Sequence, residues 1–493
     1  MVRADAHADA PDANRWRALS VTLVAGFMSL LDVSIVSVAL PSLQQSLGAS
    51  PAAVQWVVSG YALTFGLALV PAGRLGDALG RRRMFLGALA AFVLFSGLAG
   101  AAPSVGLLVA ARLAQGFAAG TLAPQNSGLI QQLFSGAERG RAFGLFGATV
   151  GISTAVGPIV GGLVLALAGG PDGWRWIFLI NLPIGVVALV LAARLIPSVS
   201  RDDRVGRIDV VGAALLGGGV LAVLLPLVQA ESGGVTRLWW LFPVGAALVA
   251  AFVAWERRAL RRGAEPLLDL RLLTRTRGYA TGAGLGAVYF LGFSGIWLVF
   301  ALFLQSGLGY TPLQSGLSVT AFALGSAVSA AVGGRLVERF GRRLTVIGLV
   351  GVLTGLLATI TVVLLVPSGS LIWAMAPPLL VAGVGGGLVI SPNITLTLRE
   401  VPVRMAGSAG GALQTGQRIG AAIGTAALPG AFYLVLGATG QNFPVAAAVA
   451  LGGAVLSVSA ALVIAVLDLR HDRRVRRRCA EEEAHTYGHA AHG

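Results

Sequence analysis

The residue that most needs a chemical explanation is Asp32, a carboxylate inside the apolar stretch SLLDVSIVSVALPSL (residues 29–43). Residues 18–40 contain no other charged side chain and are long enough to cross a bilayer. An aspartate at the centre of a membrane helix costs about 2.5–3.5 kcal/mol, and intramembrane acids usually belong to ion or proton pathways. Asp32 is therefore a candidate proton-binding residue.

Arg112 supplies a possible counter-charge, because it also falls near the middle of an apolar segment. A buried carboxyl without a partner keeps its proton, whereas a nearby guanidinium favours the charged form. An Asp32–Arg112 pair could be a structural ion pair or a site that exchanges a proton against substrate or against Arg112. The residues alone leave both readings open.

The segments that must position these residues indicate a helical membrane protein with many spans. The chain has 493 residues, of which 56% are hydrophobic and only 12% charged, whereas soluble proteins are about a quarter charged. The first segment is too long for a cleavable signal peptide and carries Asp32, and the single Cys479 allows no internal disulfide. Apolar segments predict fourteen transmembrane helices, near 18–40, 53–72, 84–101, 105–127, 141–167, 174–196, 208–230, 238–256, 278–304, 312–334, 344–366, 370–398, 406–436 and 443–468.

The distribution of positive charge predicts the orientation of these helices. All 36 basic residues are arginines, and 32 of them lie in the two tails or in alternate loops with their helix ends. The opposite loops hold only Arg175 and Arg237, while Arg112 and Arg418 fall inside predicted spans. The positive-inside rule then places both termini in the cytoplasm. The net charge of +15 is explained by topology, so no nucleic-acid partner is expected.

An internal repeat divides the chain. GRLGDALGRRRM at 73–84 recurs as GRLVERFGRRLT at 334–345, each time after the second helix of a six-helix block. Parallel repeats with a substrate site between them are a transporter arrangement. The predicted organisation is a cytoplasmic tail, a six-helix bundle, linkers with an inserted helix pair that packs outside the transport core, a second six-helix bundle and a cytoplasmic tail. Their respective bounds are 1–17, 18–196, 197–277, 278–468 and 469–493.

The repeated loop resembles the signature loop of the major facilitator superfamily. LDVSIVSVALP, which begins at residue 31, is similar to the first-helix motif of its fourteen-helix drug:proton antiporter branch, with Ser34 and Ser37 where Thr and Asn are usual. Further segments similar to that branch are QWVVSGYALTFG (55–66), RLAQGFAAG (112–120), GISTAVGPIVGG (151–162), WRWIFLINLPIG (174–185) and GSAGGALQTGQRIGAAIG (407–424). The resemblance covers residues 18–468 and implies an all-α integral membrane fold with fourteen helices.

The resemblance also implies roles for three groups of residues. It places Asp32 and Arg112 near each other as the proton-coupling pair. It implies that the first loop is a latch that stabilises the outward-open state, with residues Gly73, Asp77, Gly80, Arg81 and Arg82. It implies an antiporter motif in the fifth helix, with residues Gly151, Gly157, Pro158, Gly161 and Gly162.

These two motifs also have simpler physical readings. The loop arginines could serve only to keep the loop in the cytoplasm. This reading does not explain Asp77, or the acidic residue Glu338 at the equivalent position of the second repeat. Gly76 and Gly80 would permit a tight turn. Small residues at 147, 151, 157 and 161 allow close helix packing, and Pro158 permits a bend.

A set of aromatic and amide residues forms the candidate substrate cavity: Trp56, Tyr61, Phe65, Gln115, Asn181, Tyr289, Trp297, Gln414 and Arg418. Arg418 could bind substrate, act in gating, or lie in a network with Gln414 and Gln417. The tenth helix has no acidic residue, which argues against dicationic substrates. Neutral, zwitterionic or weakly anionic lipophilic compounds are expected.

Other function classes fit less well. An ATP-driven pump needs the lysine of a phosphate-binding loop, and this chain has no lysine. A membrane hydrolase would need histidine or paired carboxylates, yet all five histidines lie in the tails. Of these, His485, His489 and His492 are interpreted as part of a polar end, so no metal site, cofactor or enzymatic activity is expected.

The sequence therefore predicts a proton-coupled antiporter in a bacterial cytoplasmic membrane. It would export lipophilic drugs, antibiotics or a natural product, with protons, a small lipophilic substrate and the lipid bilayer as its partners and a monomer as its expected state. The alternatives are a proton-coupled importer of a small nutrient and a receptor or channel that transports nothing.

Overall fold

A computed structural model of the chain describes residues 14–197, 209–229, 233–263 and 266–490. Several sequence predictions fall outside this part. They concern the first 13 residues, most of the linker predicted at 197–207, and the side chains of Ser37, Pro158 and the tail histidines.

The described residues form α-helices joined by short turns, as their long apolar segments predict. Their bounds are α1 (Arg15–Leu47), α2 (Pro51–Leu79), α3 (Arg81–Gly100), α4 (Val105–Leu133), α5 (Gly136–Ala168), α6 (Arg175–Leu179), α7 (Asn181–Leu195), α8 (Val210–Val228), α9 (Gly234–Arg237), α10 (Leu241–Arg261), α11 (Arg271–Arg275), α12 (Tyr279–Ala301), α13 (Pro312–Ser318), α14 (Thr320–Phe340), α15 (Arg342–Leu365), α16 (Leu371–Leu398), α17 (Ala406–Ala438) and α18 (Phe443–Ala490). A π-helical segment, Leu302–Gly307, extends α12.

Twelve helices of the described residues are long and apolar enough to cross a membrane. The chain is thus a multi-pass membrane protein, but the predicted count of fourteen is not confirmed. Within α5, the described residues give only a shorter apolar helix, Ile159–Ala168. Within α10, the apolar run is followed at once by Glu256, Arg257 and Arg258, which shortens the stretch that hydrocarbon would accept.

The helices form two halves, as the internal repeat predicts. In the first half, α1 packs on α5, and α4 packs between α2 and α3. In the second half, α16 packs between α14 and α15, and α12 packs between α17 and α18. Between the two halves in the chain, α8 packs along α10 but also contacts α2 of the first half and α17 of the second. Helix α8 therefore lies on the seam between the halves.

Two repeat-related glycines make the turns that begin α3 and α15. Gly80 has φ 98° and Gly341 has φ 53°, values that a side chain makes unfavourable. Gly76, which was also predicted to shape the turn, instead lies inside α2, where a Cβ atom would overlap the side chain of Gln125. Close helix packing explains this glycine. We call the end of the bundle that carries these two turns the Arg-rich end.

The two halves meet closely near the Arg-rich end. Glycines on one helix face the backbone of the other. A Cβ atom at Gly140 of α5 would overlap the carbonyl of Gly334 in α14. In the same way, a Cβ at Gly73 of α2 would overlap the carbonyl of Gly407 in α17. Membrane helices approach this closely only where small residues remove the side-chain layer. The contacts therefore bring the two halves together at the Arg-rich end.

Candidate functional site

Asp32 lies in α1 and is only 1% exposed. Nη1 of the fully buried Arg112 in α4 donates a hydrogen bond to Asp32 Oδ2. Arg112 Nε donates to the carbonyl of Val57 at 3.0 Å, and Nη1 also donates to Gln115 Oε1 at 2.8 Å. The guanidinium carbon lies 4.2 Å from the centroid of the Tyr61 ring. A buried ion pair is tolerated only when its remaining donors and acceptors are satisfied, and this one has such partners.

Two amides complete the surroundings of Asp32 Oδ1. Gln115 Nε2 and Asn181 Nδ2 each donate to it at 3.2 Å. Asn181 also donates to Ser96 Oγ at 3.1 Å, and Ser96 donates to the carbonyl of Phe178 at 2.9 Å. The carboxylate is thus held by α4 and α7. All of these partners donate hydrogen bonds, so they satisfy the carboxylate of Asp32 as an acceptor.

The side chain of Asp77, near the end of α2, is buried against the start of α17. Its Oδ1 accepts the backbone N–H of Gly407 at 2.9 Å, and its Oδ2 accepts that of Ser408 at 2.8 Å. The carboxylate satisfies backbone donors that a helix leaves unpaired at its N-terminus, where the helix dipole favours negative charge.

Arg81 strengthens the same junction. Its Nη2 donates to Asp77 Oδ1 at 3.0 Å and to the carbonyl of Val403, while Nη1 donates to the carbonyl of Gly128 at 2.6 Å. Arg82 instead donates to the carbonyl of Ala193 within the first half. The first loop therefore connects the two halves through Asp77 and Arg81.

The second copy of the repeat makes different contacts. Arg342 donates to Asp468 Oδ2 and to Asn393 Oδ1, each at 2.7 Å, and all three residues belong to the second half. Glu338, at the position of Asp77, is exposed. The two loops are similar in sequence but differ in what their acidic residues contact.

The glycines of α5 face two different neighbours. A Cβ at Gly147 would lie 3.0 Å from Ser391 Cβ, and one at Gly151 would lie 3.4 Å from Ser326 Oγ, both in the second half. A Cβ at Gly157 would overlap Ser34 in α1. Gly161 is buried, whereas a Cβ at Gly162 would meet open space. The first part of α5 therefore packs across the halves and the later part packs within its own half.

The predicted cavity residues fall into separate groups. Tyr61, Gln115 and Asn181 surround the Asp32–Arg112 pair. Trp56 packs with Leu63 and Val220 beside α8.

Two further groups lie on the second half or on the seam. Tyr289 and Trp297 belong to an aromatic cluster with Phe293 and Phe322 in the second half. Gln414 donates to Ser127 Oγ at 3.4 Å across the seam, and Arg418 lies over the ring of Phe65 at 4.1 Å.

Sequence reasoning missed Ser96 and the Arg342–Asp468–Asn393 group. Ser96 is a small polar residue within an apolar helix, and its neighbours in the chain give no spacing that would single it out. Asn393 lies in α16 and Asp468 near the end of the last span, far apart in the chain. Only the packing of helices brings them together.

Comparison with known proteins gives consistent relatives. The profile of the Major Facilitator Superfamily matches residues 22–425 and 282–485. The chain is 39% identical over 429 residues to the "Probable actinorhodin transporter" of Streptomyces coelicolor. The matched region covers 87% of this chain and 74% of that protein. It is 35% identical to the "Puromycin resistance protein pur8" of Streptomyces alboniger, over 85% of this chain and 82% of that protein. It is 32% identical to the "Tetracenomycin C resistance and export protein" of Streptomyces glaucescens, over 87% of this chain and 77% of that protein.

Solved structures show the same fold at lower sequence identity. The human organic anion transporter MFSD10 superposes with a TM-score of 0.61 at 15% identity and covers 92% of this chain and 98% of its own. A proton:xylose symporter superposes with a TM-score of 0.62 at 16% identity and covers 91% of this chain and 95% of its own. At this identity the similarity concerns the fold alone.

Proposed function

Because the chain belongs to the Major Facilitator Superfamily, whose members move small solutes across membranes, we propose that it is a proton-coupled antiporter that exports lipophilic antibiotics or a related natural product. The names of three relatives, which refer to antibiotic transport, resistance or export, support this class of substrate. The observation that carries the coupling proposal is the buried Asp32, whose carboxylate contacts Arg112, Gln115 and Asn181.

In the proposed coupling, Arg112 and a proton compete for the carboxylate of Asp32. When Arg112 holds the carboxylate, the charged form is favoured, and when Arg112 is drawn away, Asp32 takes up a proton. One proton moving through 100 mV supplies about 2.3 kcal/mol. At about 1.4 kcal/mol per tenfold, this energy supports an outward gradient of about 1.6 powers of ten for an uncharged solute.

The proposed conformational change uses the junction at the Arg-rich end, which we assign to the cytoplasmic side. The bonds from Gly407 and Ser408 to Asp77 hold that side closed, so they favour an outward-open state. Release of these bonds lets the halves part and admits substrate from the cytoplasm. The close packing of α5 against α14 adds a second contact that must separate in the same step.

We further propose the fourteen-helix arrangement, in which six helices on each side flank the inserted pair α8 and α10. The length of α5, which has 33 residues, and its packing on both α1 and α14 support a spanning role. The packing of α10 along α8 supports a paired insertion. Both termini would be cytoplasmic in the bacterial inner membrane, and the transporter would act as a monomer.

The test is transport in proteoliposomes with an imposed pH gradient. Puromycin and tetracenomycin C serve as probes, since relatives are named for them. Accumulation of a probe on the side with the higher proton concentration, abolished by a protonophore, is the expected result. Uptake of a probe together with protons would indicate import, and flux independent of the pH gradient would indicate a channel.

A further inference from the structure

Arg418 is a cation within the apolar helix α17, and its guanidinium lies over an aromatic ring. Its guanidinium carbon lies 4.1 Å from the centroid of Phe65. Within the part of the chain that the structure describes, Arg418 forms no hydrogen bond and no ion pair. Arg112, by contrast, has a carboxylate, an amide and a carbonyl as acceptors. A guanidinium has five N–H donors, so the donors of Arg418 are available to a ligand.

The surroundings of Arg418 are apolar and aromatic. The next residue, Ile419, packs against an apolar cluster of Leu63 with Val220 and Leu224 of α8. Phe65, beneath the guanidinium, is buried and lies beside Tyr61, with ring centroids 6.2 Å apart. In such a setting an unpaired charge is costly and a counter-ion is strongly favoured.

The second half, to which Arg418 belongs, also holds donors without acceptors. Gly286 of α12 packs against Gln417, the residue before Arg418. One turn later on α12, the buried hydroxyl of Tyr289 has no hydrogen-bond partner among the described residues, although it lies against Gly386 of α16 and not at Arg418. Arg418 and Phe65 themselves present a cation and an aromatic ring, so a complementary ligand is aromatic and carries negative charge or strong acceptors.

We infer that Arg418, stacked on Phe65, is the recognition site for an anionic group of a lipophilic aromatic substrate. The site lies on the seam between the halves, so the guanidinium becomes accessible when α2 and α17 separate. This inference rests on the proposed export function and narrows its substrate class from lipophilic compounds in general to lipophilic anions. It assigns Arg418 a role different from that of Arg112, which is occupied by Asp32.

The inference is tested by binding to the detergent-purified full chain at one pH and without a gradient, so that it does not depend on proton coupling. The probes are dansylglycine, which is an anion, and dansylglycinamide, its neutral analogue. Wild-type protein should bind dansylglycine about tenfold more tightly, as a charge-assisted hydrogen bond allows. Arg418→Gln should remove this preference while changing the affinity for the amide less than about twofold. Arg418→Lys should retain part of it, because the charge persists without the planar guanidinium.

Arg339→Gln is the matched control, since Arg339 also lies over a phenylalanine ring, that of Phe340 at 5.5 Å, but at an exposed position away from α2 and Phe65. It should bind both probes as wild type does. If Arg418→Gln is not monodisperse, the affinities for the two probes are compared in Arg418→Lys and Phe65→Leu instead. A wild-type protein without preference for dansylglycine, or an Arg418→Gln variant that weakens both probes equally, would overturn the inference. Export of a neutral compound driven by a pH gradient would then still support the proposed function.

Discussion

The carboxylate of Asp77 accepts a hydrogen bond of 2.8 Å from the backbone N–H of Ser408, a residue 331 positions later in the chain. This bond joins the end of α2 in the first half to the beginning of α17 in the second. Its partner in the repeat, Glu338, is exposed. Among the described residues, only the acid of the first copy accepts hydrogen bonds across the halves, whereas Glu338 approaches Gly136 of the first half without such a bond. This difference provides a matched experiment.

Asp77→Asn should lower transport several-fold without lowering membrane abundance. The amide keeps the shape but removes a negative charge from the N-terminus of α17, an interaction of about 0.3–2 kcal/mol. Measurement of transport driven by a pH gradient, together with abundance in the membrane, checks this. Glu338→Gln is the control and should transport normally. Normal transport by Asp77→Asn across a range of pH would mean that the loop serves topology alone.

Asp32→Asn should abolish export driven by a pH gradient, because the amide cannot release a proton. Asp32→Glu should keep part of the activity with a shifted pH optimum, since the carboxyl persists in a displaced position. The measurement is proton release on substrate addition, followed with a pH dye in lightly buffered detergent. Asp172→Asn, which alters an exposed ion pair with Arg175, should behave as wild type. Equal release from wild type and Asp32→Asn would assign the proton to another group.

Removal of Arg112 or Asn181 should impair export driven by a pH gradient. Each donates a hydrogen bond to the buried carboxylate of Asp32, and a hydrogen bond to a charged group contributes about 1.5–3 kcal/mol. Arg112→Ala should have a larger effect than Asn181→Ala, because it removes a charge as well as a donor. Transport driven by a pH gradient, measured together with abundance in the membrane, checks this. Normal export by both variants would show that these partners of Asp32 are not needed for coupling.

Gly140→Ala should impair transport, because a Cβ there meets the carbonyl of Gly334 across the halves. Gly87→Ala, at an exposed position in α3 outside the named motifs, is the control, since its Cβ would meet nothing within 4 Å. The control should transport normally and gain up to about 1 kcal/mol of stability, as alanine favours a helix over glycine. Transport assays and thermal unfolding in detergent compare the two. Equal behaviour of both variants would argue against tight closure of α5 on α14.

Reporter fusions test the orientation and the number of spans. Fusions after Ile196 and within 263–276 should read cytoplasmic, whereas fusions within 43–50 and 232–236 should read external. The reason is the restriction of arginine to alternate loops. An external signal from 263–276 would show that α8 and α10 do not form a spanning pair.

Several features of this protein follow from the sequence by elementary physics. The length and number of apolar segments predict a membrane protein, because a segment of this length can span about 30 Å of hydrocarbon. The repeated loops predict two related halves, and the cost of a charge in lipid singles out Asp32. The turn glycine at position 80 also follows, since its backbone conformation excludes side chains.

Other features were decided only by the tertiary structure. Gln115 and Asn181, which the sequence assigned to the substrate cavity, contact Asp32, while α8 lies on the seam between the halves. Lipid tails are as apolar as a helix interface, so hydropathy does not distinguish the face of a helix that contacts lipid from the face that contacts protein. The difference between Asp77 and Glu338 has the same origin. Two loops with the same motif acquire different contacts because the helices that pack against them are different.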